Sequence, residues 1–356
     1  LHLKLELPLR ELAQSRVEGE FDFAGNSIRL QPDLPALEHA GGRISFTRSS
    51  LKVHGVQGRL AGGPVVLGGG TLEDGTMRIV AKGEATAAGA RTLLEHPLGA
   101  HVSGRAAYEA TLELREGLAH LSLESSLRGM ASALPAPLDK AETEALPLRV
   151  ALTPLAGGAR ERITVSLGGR LAAEIQRRRR GDTREMRRTA IWVTPEPGEA
   201  IRLPERPGTL IYGRLEAFDA DRWLALDGAG GAADASLDLR FGSLEAYGKR
   251  LHNVALRAGA EAEDWSAAIT SDEMSGDVSF VGKDGAAYEA MTDAEGSVWQ
   301  HFTSSYRYAV TSPALAGQRC VKQGLASRMC AWLTATLAAR TRRSTGRRPA
   351  RPGSLC

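Results

Sequence analysis

The residues of this 356-residue chain that could do chemistry are dispersed. Of its eight His, the closest pair is His96 and His101, in EHPLGAH, with no Asp, Glu or Cys set beside it to complete a metal site. Cys320, Cys330 and Cys356 lie beyond residue 319 and form no CxxC or Cys/His spacing. No GxSxG elbow, Walker loop or HExxH is present. DGAGGAA, residues 227–233, contains a GxGxxA string. A dinucleotide site needs a strand before that string and a helix after it, and here the order is reversed, so it reads as a loop. Glu6, Glu18, Glu113 and Asp238 sit on the polar parity of alternating runs, where solvent is expected. The expectation is a chain with no catalytic residues, no metal site and no cofactor, and therefore not an enzyme.

One charged cluster stands out. Arg177 to Arg180, then Arg184, Arg187 and Arg188, flank a Gly181-Asp182 turn in RRRRGDTREMRR. Clustered guanidinium groups suit phosphate. Base-stacking aromatics are missing, and the net charge is only +3, so no nucleic-acid partner is expected. A solvated hairpin tip is the first reading and contact with anionic lipid headgroups the second.

What must position these residues is a long series of strands. Apolar residues recur with period two: Leu3, Leu5 and Leu7; Phe21 and Phe23; Leu112 and Leu114; Leu121 and Leu123. Leu148, Val150 and Leu152 continue the pattern, then Ile163, Val165 and Leu167, then Leu237, Leu239 and Phe241. GGGTLEDG reads as a Gly-rich turn between two strands. Helical spacing is confined to GARTLLEH, stopped by Pro97, and AFDADRWLALDG, with Asp219 or Asp221 as N-cap. Gly is abundant at 40 and aromatics are sparse at 5%. The predicted fold is mainly β: an elongated, twisted antiparallel sheet curled into an open apolar groove, with a few short helices.

So many one-sided strands need cover. A membrane barrel would show aromatic girdles, which this composition does not supply. A long trough lined by the apolar parity and occupied by acyl chains fits, since each buried methylene contributes ~0.8 kcal/mol. About 15–18 strands at ~4.8 Å would give a trough of roughly 70–90 Å.

The order of motifs resembles the YhdP family, AsmA-like envelope proteins related in architecture to TamB and the bridge-like lipid transfer proteins. SLRGMASALPAPLDK is similar to the family's S-x-L-x-G-x-x-x-x-L-P-x-P-L-x-K segment, here carrying Gly129, Leu134, Pro135, Pro137, Leu138 and Lys140. FAGNSIRLQPDLPALEHAGGRISFTRSSLKVHGVQGRLAGGP, LEAFDADRWLALDG, SLDLRFGSLEAYGKRLHNVALRA and DWSAAITSDEMSGDVSF resemble further sections of it, so the similarity covers roughly residues 5–282. It implies a periplasmic segment of a bridge-like protein that carries phospholipid between inner and outer membrane along a hydrophobic groove. An inner-membrane anchor helix, missing here, and envelope protein partners are implied with it. The alternative is a non-transporting scaffold of the cell envelope with a sealed apolar face.

Two segments carry specific expectations. Leu134-Pro135-Ala136-Pro137-Leu138 must leave a strand ladder, because Pro donates no backbone bond. It would either form a lateral seam over the trough, with Lys140 near headgroups, or a rigid turn between hairpins. Residues 1–285 read as one β-groove segment of a longer protein, consistent with a start at Leu1. Residues 286–356 lose the alternation, and LASRMCAWLTATLAAR takes helical spacing before a basic end. That tail is either out of frame or a genuine C-terminal helix with a floppy end.

Overall fold

The computed structural model describes residues 2–6, 16–29, 35–94, 97–180, 183–226, 235–261, 264–280, 289–292 and 298–301. Strand makes up 67% and helix 8%, in keeping with the alternating sequence. The chain divides into two units, Leu1–Gly208 with Ala225–Gly228, and Thr209–Leu224 with Ala229–Cys356.

The first unit is a meander. Its strands are β1 (His2–Glu6), β2 (Arg16–Ile28), β3 (Leu37–Thr47), β4 (Leu51–Leu60), β5 (Gly63–Thr71) and β6 (Met77–Thr86). They continue as β7 (Val102–Arg115), β8 (Leu118–Ser125), a short β9 (Met130–Ser132), β10 (Leu148–Leu155), β11 (Arg160–Leu167), β12 (Leu171–Arg180) and β13 (Thr183–Val193). Each pairs antiparallel with its successor as far as β8. β8 then pairs with β10, and the ladder runs on to β13. β9 leaves this order to pair with the first residues of β7. Among the described residues no pairing joins β13 to β1, so the sheet is open.

Local chemistry explains the turns. Tight connections fall at Arg48–Ser50, Leu72–Thr76 and Glu116–Gly117. The Gly-rich run differs from the expected turn: Gly68, Gly69 and Gly70 lie inside β5. A Cβ at Gly69 would stand 2.1 Å from the Arg78 carbonyl oxygen, and one at Gly70 2.3 Å from that of Leu51. These glycines therefore let neighbouring strands approach rather than reverse the chain. The first helical stretch is α1 (Ala87–Leu94), two residues earlier than GARTLLEH suggests. Thr86 caps it, its hydroxyl accepting from the Gly89 N–H at 3.1 Å.

One face of the sheet is charged. Arg43 bridges Glu20 and Asp22, Arg78 meets Glu113 at 2.7 Å, and Lys82 meets Glu109 at 3.0 Å. Such exposed pairs stabilise little individually, but they fix which parity faces water. On the other parity, Leu37, Ala40, Val56, Val65 and Ala81 of β3–β6 form a buried cluster. Phe23, Ile44, Leu67 and Tyr108 pack against it.

Tyr108 is the strained member of this packing. Its hydroxyl is buried with no hydrogen-bond partner, and burial pushes its pKa up to about 12. An orphaned buried donor costs free energy that a phenyl ring would not. Tyr108→Phe is expected to stabilise the protein by about 1 kcal/mol. Chemical denaturation would read this as a higher midpoint at unchanged slope, and a lower midpoint would show that the hydroxyl is satisfied in solution.

The second unit contains β14 (Gly208–Asp219), α2 (Ala220–Leu224), β15 (Ala235–Ala246), β16 (Lys249–Glu261), β17 (Asp264–Thr270) and β18 (Ser275–Phe280). A separate hairpin joins β19 (Glu289–Thr292) and β20 (Val298–His301). β15 to β18 are antiparallel, but β14 and β15 are parallel, which corrects the all-antiparallel expectation. A parallel pair needs a connection of about a dozen residues or more, and residues 220–234, which begin with α2, separate the two strands in sequence. Asp219 is the cap of α2, accepting from the Arg222 N–H at 2.9 Å. Asp221 instead accepts from the Tyr247 and Gly248 N–H groups, tying α2 to the β15–β16 turn. His96, the 227–233 glycine string, the three Cys and the helical spacing near the C-terminus lie outside the described residues.

Candidate functional site

Strand register turns the alternating sequence into rows. From β7 onward, Leu112 faces Leu121, Leu121 faces Leu152, Leu152 faces Ile163 and Ile163 faces Ile175. Beside this row run Ala110, Leu123, Val150, Val165, Ala173 and Ile191. A third row runs from Leu148 through Leu167 and Leu171 to Val193. Each step across the ladder is ~4.8 Å, so the rows form a continuous apolar strip rather than scattered patches.

Burial differs along the strip. β3 to β6 contribute fully buried side chains, with Val56 and Val65 each 2% exposed. Leu112 on β7 is buried at 8%. No apolar side chain of β8, β10, β11 or β12 is buried; they are half-buried throughout. Leu121, Leu123, Leu148, Val150, Leu152, Ile163, Val165 and Leu167 all belong to this uncovered stretch, and Leu114 is half-buried beside it. A sheet face sealed by a second layer would carry buried residues here, as β3–β6 do.

The remaining strip candidates are placed differently. Leu3 is 51% exposed opposite Gly19, and Leu5 pairs with Val17. Leu7 lies outside the described residues. Phe21 and Phe23 meet edge to face at 4.9 Å between ring centres, with Phe21 opposite Ile44. In the second unit Leu237 and Leu239 are half-buried, opposite Ile211 and Gly213. Phe241 is sealed at 3% exposure, 5.3 Å from Phe218, which in turn stacks on Trp223.

One margin of the strip is closed by residues 126–147, the connection between β8 and β10. Gly129 takes φ 93, and a Cβ there would stand 2.4 Å from the Arg105 carbonyl oxygen. Its N–H donates to Glu142 O at 2.8 Å, and its carbonyl accepts from Arg105 N–H at 3.0 Å. Leu134 and Pro135 are buried, and a cis Ala136–Pro137 bond follows. Leu138 closes a turn by donating to Pro135 O. Lys140 does not reach for headgroups: it is 6% exposed and donates through Nζ to Met130 O at 2.6 Å and Ala141 O at 2.9 Å. Desolvation lowers its pKa, and the nearby Glu144 carboxylate opposes that shift. The loop lies along the strand ends, pinned by Arg170 from the β11–β12 turn. Arg170 donates to the Pro137 and Asp139 carbonyls and pairs with Glu144 at 2.5 Å.

Sequence reasoning missed Arg170, and with it the whole β11–β12 turn. RITVSLGGRLAAEIQRR reads as one alternating run, yet Gly168 to Arg170 break it into two strands. The Gly-Gly pair was the available signal. Leu171, Ala173, Ile175 and Ile191 were therefore missed as strip residues.

The described strands of the first unit form an open sheet with one charged face and one apolar face, part of which is uncovered. Residues 1–292 match the family described as YhdP protein, and the chain belongs to that family. No curated protein and no solved structure matches the chain. Among the described residues, no helix is long and apolar enough to cross a membrane.

Proposed function

We propose that this chain is a non-enzymatic segment of a lipid conduit, which carries phospholipid between inner and outer membrane with acyl chains on the apolar strip. YhdP family membership is consistent with a place in the cell envelope. The observation that carries the reading is the uncovered apolar face of β8 and β10–β12. Half-buried Leu, Val and Ile side chains in register give acyl chains a track without a barrier at each strand. Each methylene placed there gains ~0.8 kcal/mol over water. A two-chain lipid that cannot cross an aqueous space unaided can slide along such a track. Inner-membrane attachment and envelope protein partners belong to the same reading.

The buried β3–β6 cluster favours a second reading, in which the strip is structural and the protein a scaffold. Native mass spectrometry of the chain purified from a bacterial periplasm separates them. Stoichiometric phospholipid is expected, lost when Leu123 and Val150 become Asp in a protein whose strand content is unchanged. A folded, lipid-free wild type would establish the scaffold.

A further inference from the structure

The uncovered strip and the sealed cluster lie on one line. In register, Val56 faces Leu67, Leu67 faces Ala81, Ala81 faces Ala110, Ala110 faces Leu123, and Leu123 faces Val150. A single row therefore passes from Val56, at 2% exposure, to the half-buried Val150 and Val165. An acyl chain moving across the strands along this row meets a closed surface at the cluster of Leu37, Ala40, Val56, Val65 and Ala81.

A line of bulges closes it. β2 shifts register between Ala24 and Ile28, β3 between Glu38 and Arg43, and β4 between Val53 and Val56. These shifts lie side by side, since Ala24 faces Gly41 and Arg43 faces His54. A bulge bends its strand and changes which parity faces inward. Each of the three strands accordingly sends both parities into the cluster: Phe23 and Ile28 from β2, Leu37 and Ala40 from β3, Val53 and Val56 from β4. Gly25 and Gly55 take φ 83 and 61 at the bends. A Cβ at Gly42 would stand 3.0 Å from the Val56 Cα, so closely does the bent β3 press on β4. The pairings that join β8, β10, β11 and β12 carry no such shift, and their apolar side chains are half-buried.

We infer that the bulge line across β2–β4 is a hinge, and that β3–β6 form a closed gate on the acyl-chain track whose opening extends the binding row from Val150 to Val56. This rests on the conduit reading. Opening exposes little apolar surface, because two of the five cluster members are Ala, and an entering acyl chain covers again what opening uncovers. Lipid thus binds the open form better than the closed one, the condition for a ligand to shift such an equilibrium. An empty track keeps part of its apolar face away from water.

Two measurements on the full chain test this. The chain is incubated with phosphatidylethanolamine vesicles doped with a diazirine-tailed analogue, re-isolated and irradiated. Peptide mapping is expected to find lipid adducts on β4–β6 as well as on β8 and β10–β12. Separately, Val56→Cys, in a chain whose Cys320, Cys330 and Cys356 are Ser, reports opening without lipid through its rate of maleimide labelling. Gly25→Ala with Gly55→Ala places Ala at positive φ and favours unbent strands; a Cβ at either position meets nothing within 4 Å, so backbone strain alone acts. This pair is expected to raise the labelling rate roughly tenfold. Gly75→Ala with Gly117→Ala, at φ 81 and 76 in the β5–β6 and β7–β8 turns with equally open surroundings, carries comparable strain away from the hinge and is expected to leave the rate unchanged. Adducts confined to β8 and β10–β12 overturn the gate but leave the conduit standing. A rate that the turn pair raises as much as the hinge pair, or that the hinge pair leaves unchanged, shows that Val56 is not reached by bending at the bulges and overturns the hinge. A chain without adducts anywhere overturns the conduit itself, and the gate with it.

Discussion

Val56→Asp is expected to unfold the first unit, whereas Val150→Asp is expected to leave it folded. Both are β-branched residues on the same apolar parity of the same sheet, and a sequence pattern does not distinguish them. Val56 is 2% exposed and sits in the cluster with Leu37, Ala40, Val65 and Ala81. A carboxylate there must be desolvated or protonated, and the side chain's transfer free energy is lost as well. The expected cost is at least about 4 kcal/mol, a large fraction of a domain's whole stability. Val150 is half-buried between Leu123 and Val165, on strands with no buried apolar side chain. Its carboxylate stays hydrated, so the expected cost is about 1 kcal/mol or less. Urea titrations of the two variants measure the difference directly. Equal, large losses would show that β8–β12 are covered in solution and would remove the physical basis of the track.

Much of the fold was legible because period-two alternation is a direct imprint of a sheet with one wet face. Leu148, Val150 and Leu152 could be assigned to one face before any coordinates, and the register puts all three on the strip. What alternation does not encode is cover. Val65 and Val165 follow the same rule locally, and only the packing of β3–β6 makes one a core residue and leaves the other accessible. Nor does it encode direction, so the parallel β14–β15 pair was invisible; a short α2 decides it, and its cap at Asp219 was the only local clue. Lys140 was misjudged for a third reason. Lysine is rarely buried, so a motif ending in Lys reads as a surface feature. Here the carbonyls of Met130 and Ala141, turned inward by a Gly129 bend and a Pro-rich turn, give the ammonium two acceptors out of water. The placement of Glu161 and Arg177 on the strip's parity follows the same logic. Alternation puts both with Ile163 and Ile175 on the apolar parity, register makes them neighbours, and each side chain is less than one-fifth exposed.

Arg170→Ala is expected to release the 126–147 loop without unfolding the sheet. Three hydrogen bonds end at that guanidinium, from the Pro137 carbonyl, the Asp139 carbonyl and the Glu144 carboxylate as acceptors, and the Asp139 carboxylate stands 4.0 Å away. Hydrogen bonds to a charged group contribute about 1.5–3 kcal/mol, and these add to the apolar anchoring of the segment by Met130, Leu134, Pro135 and Leu146. A loss of about 3 kcal/mol in local stability would speed amide exchange at Gly129, Ser132 and Lys140 by about two orders of magnitude while β5–β7 stay protected. Their bonds, to Glu142 O, Lys140 O and Ser132 O, all lie within the loop, so the readout is specific. Unchanged exchange would mean that Lys140 alone holds the segment. Lys140 adds a pH signature of the opposite sign to a surface lysine. Its folded pKa is lowered by desolvation, so between that value and the ordinary value of 10.5 the unfolded chain binds more protons than the folded one. Stability of the loop therefore rises as pH climbs through that window, and the ammonium's desolvation cost is fully present below it. Lys140→Met removes the rise but leaves the Met130 and Ala141 carbonyls without their donor. The variant should exchange faster than wild type at every pH, with a gap that widens towards alkaline pH. A gap that closes as pH rises would show that the ammonium itself, rather than the lysine's bonds to the two carbonyls, stabilises the fold.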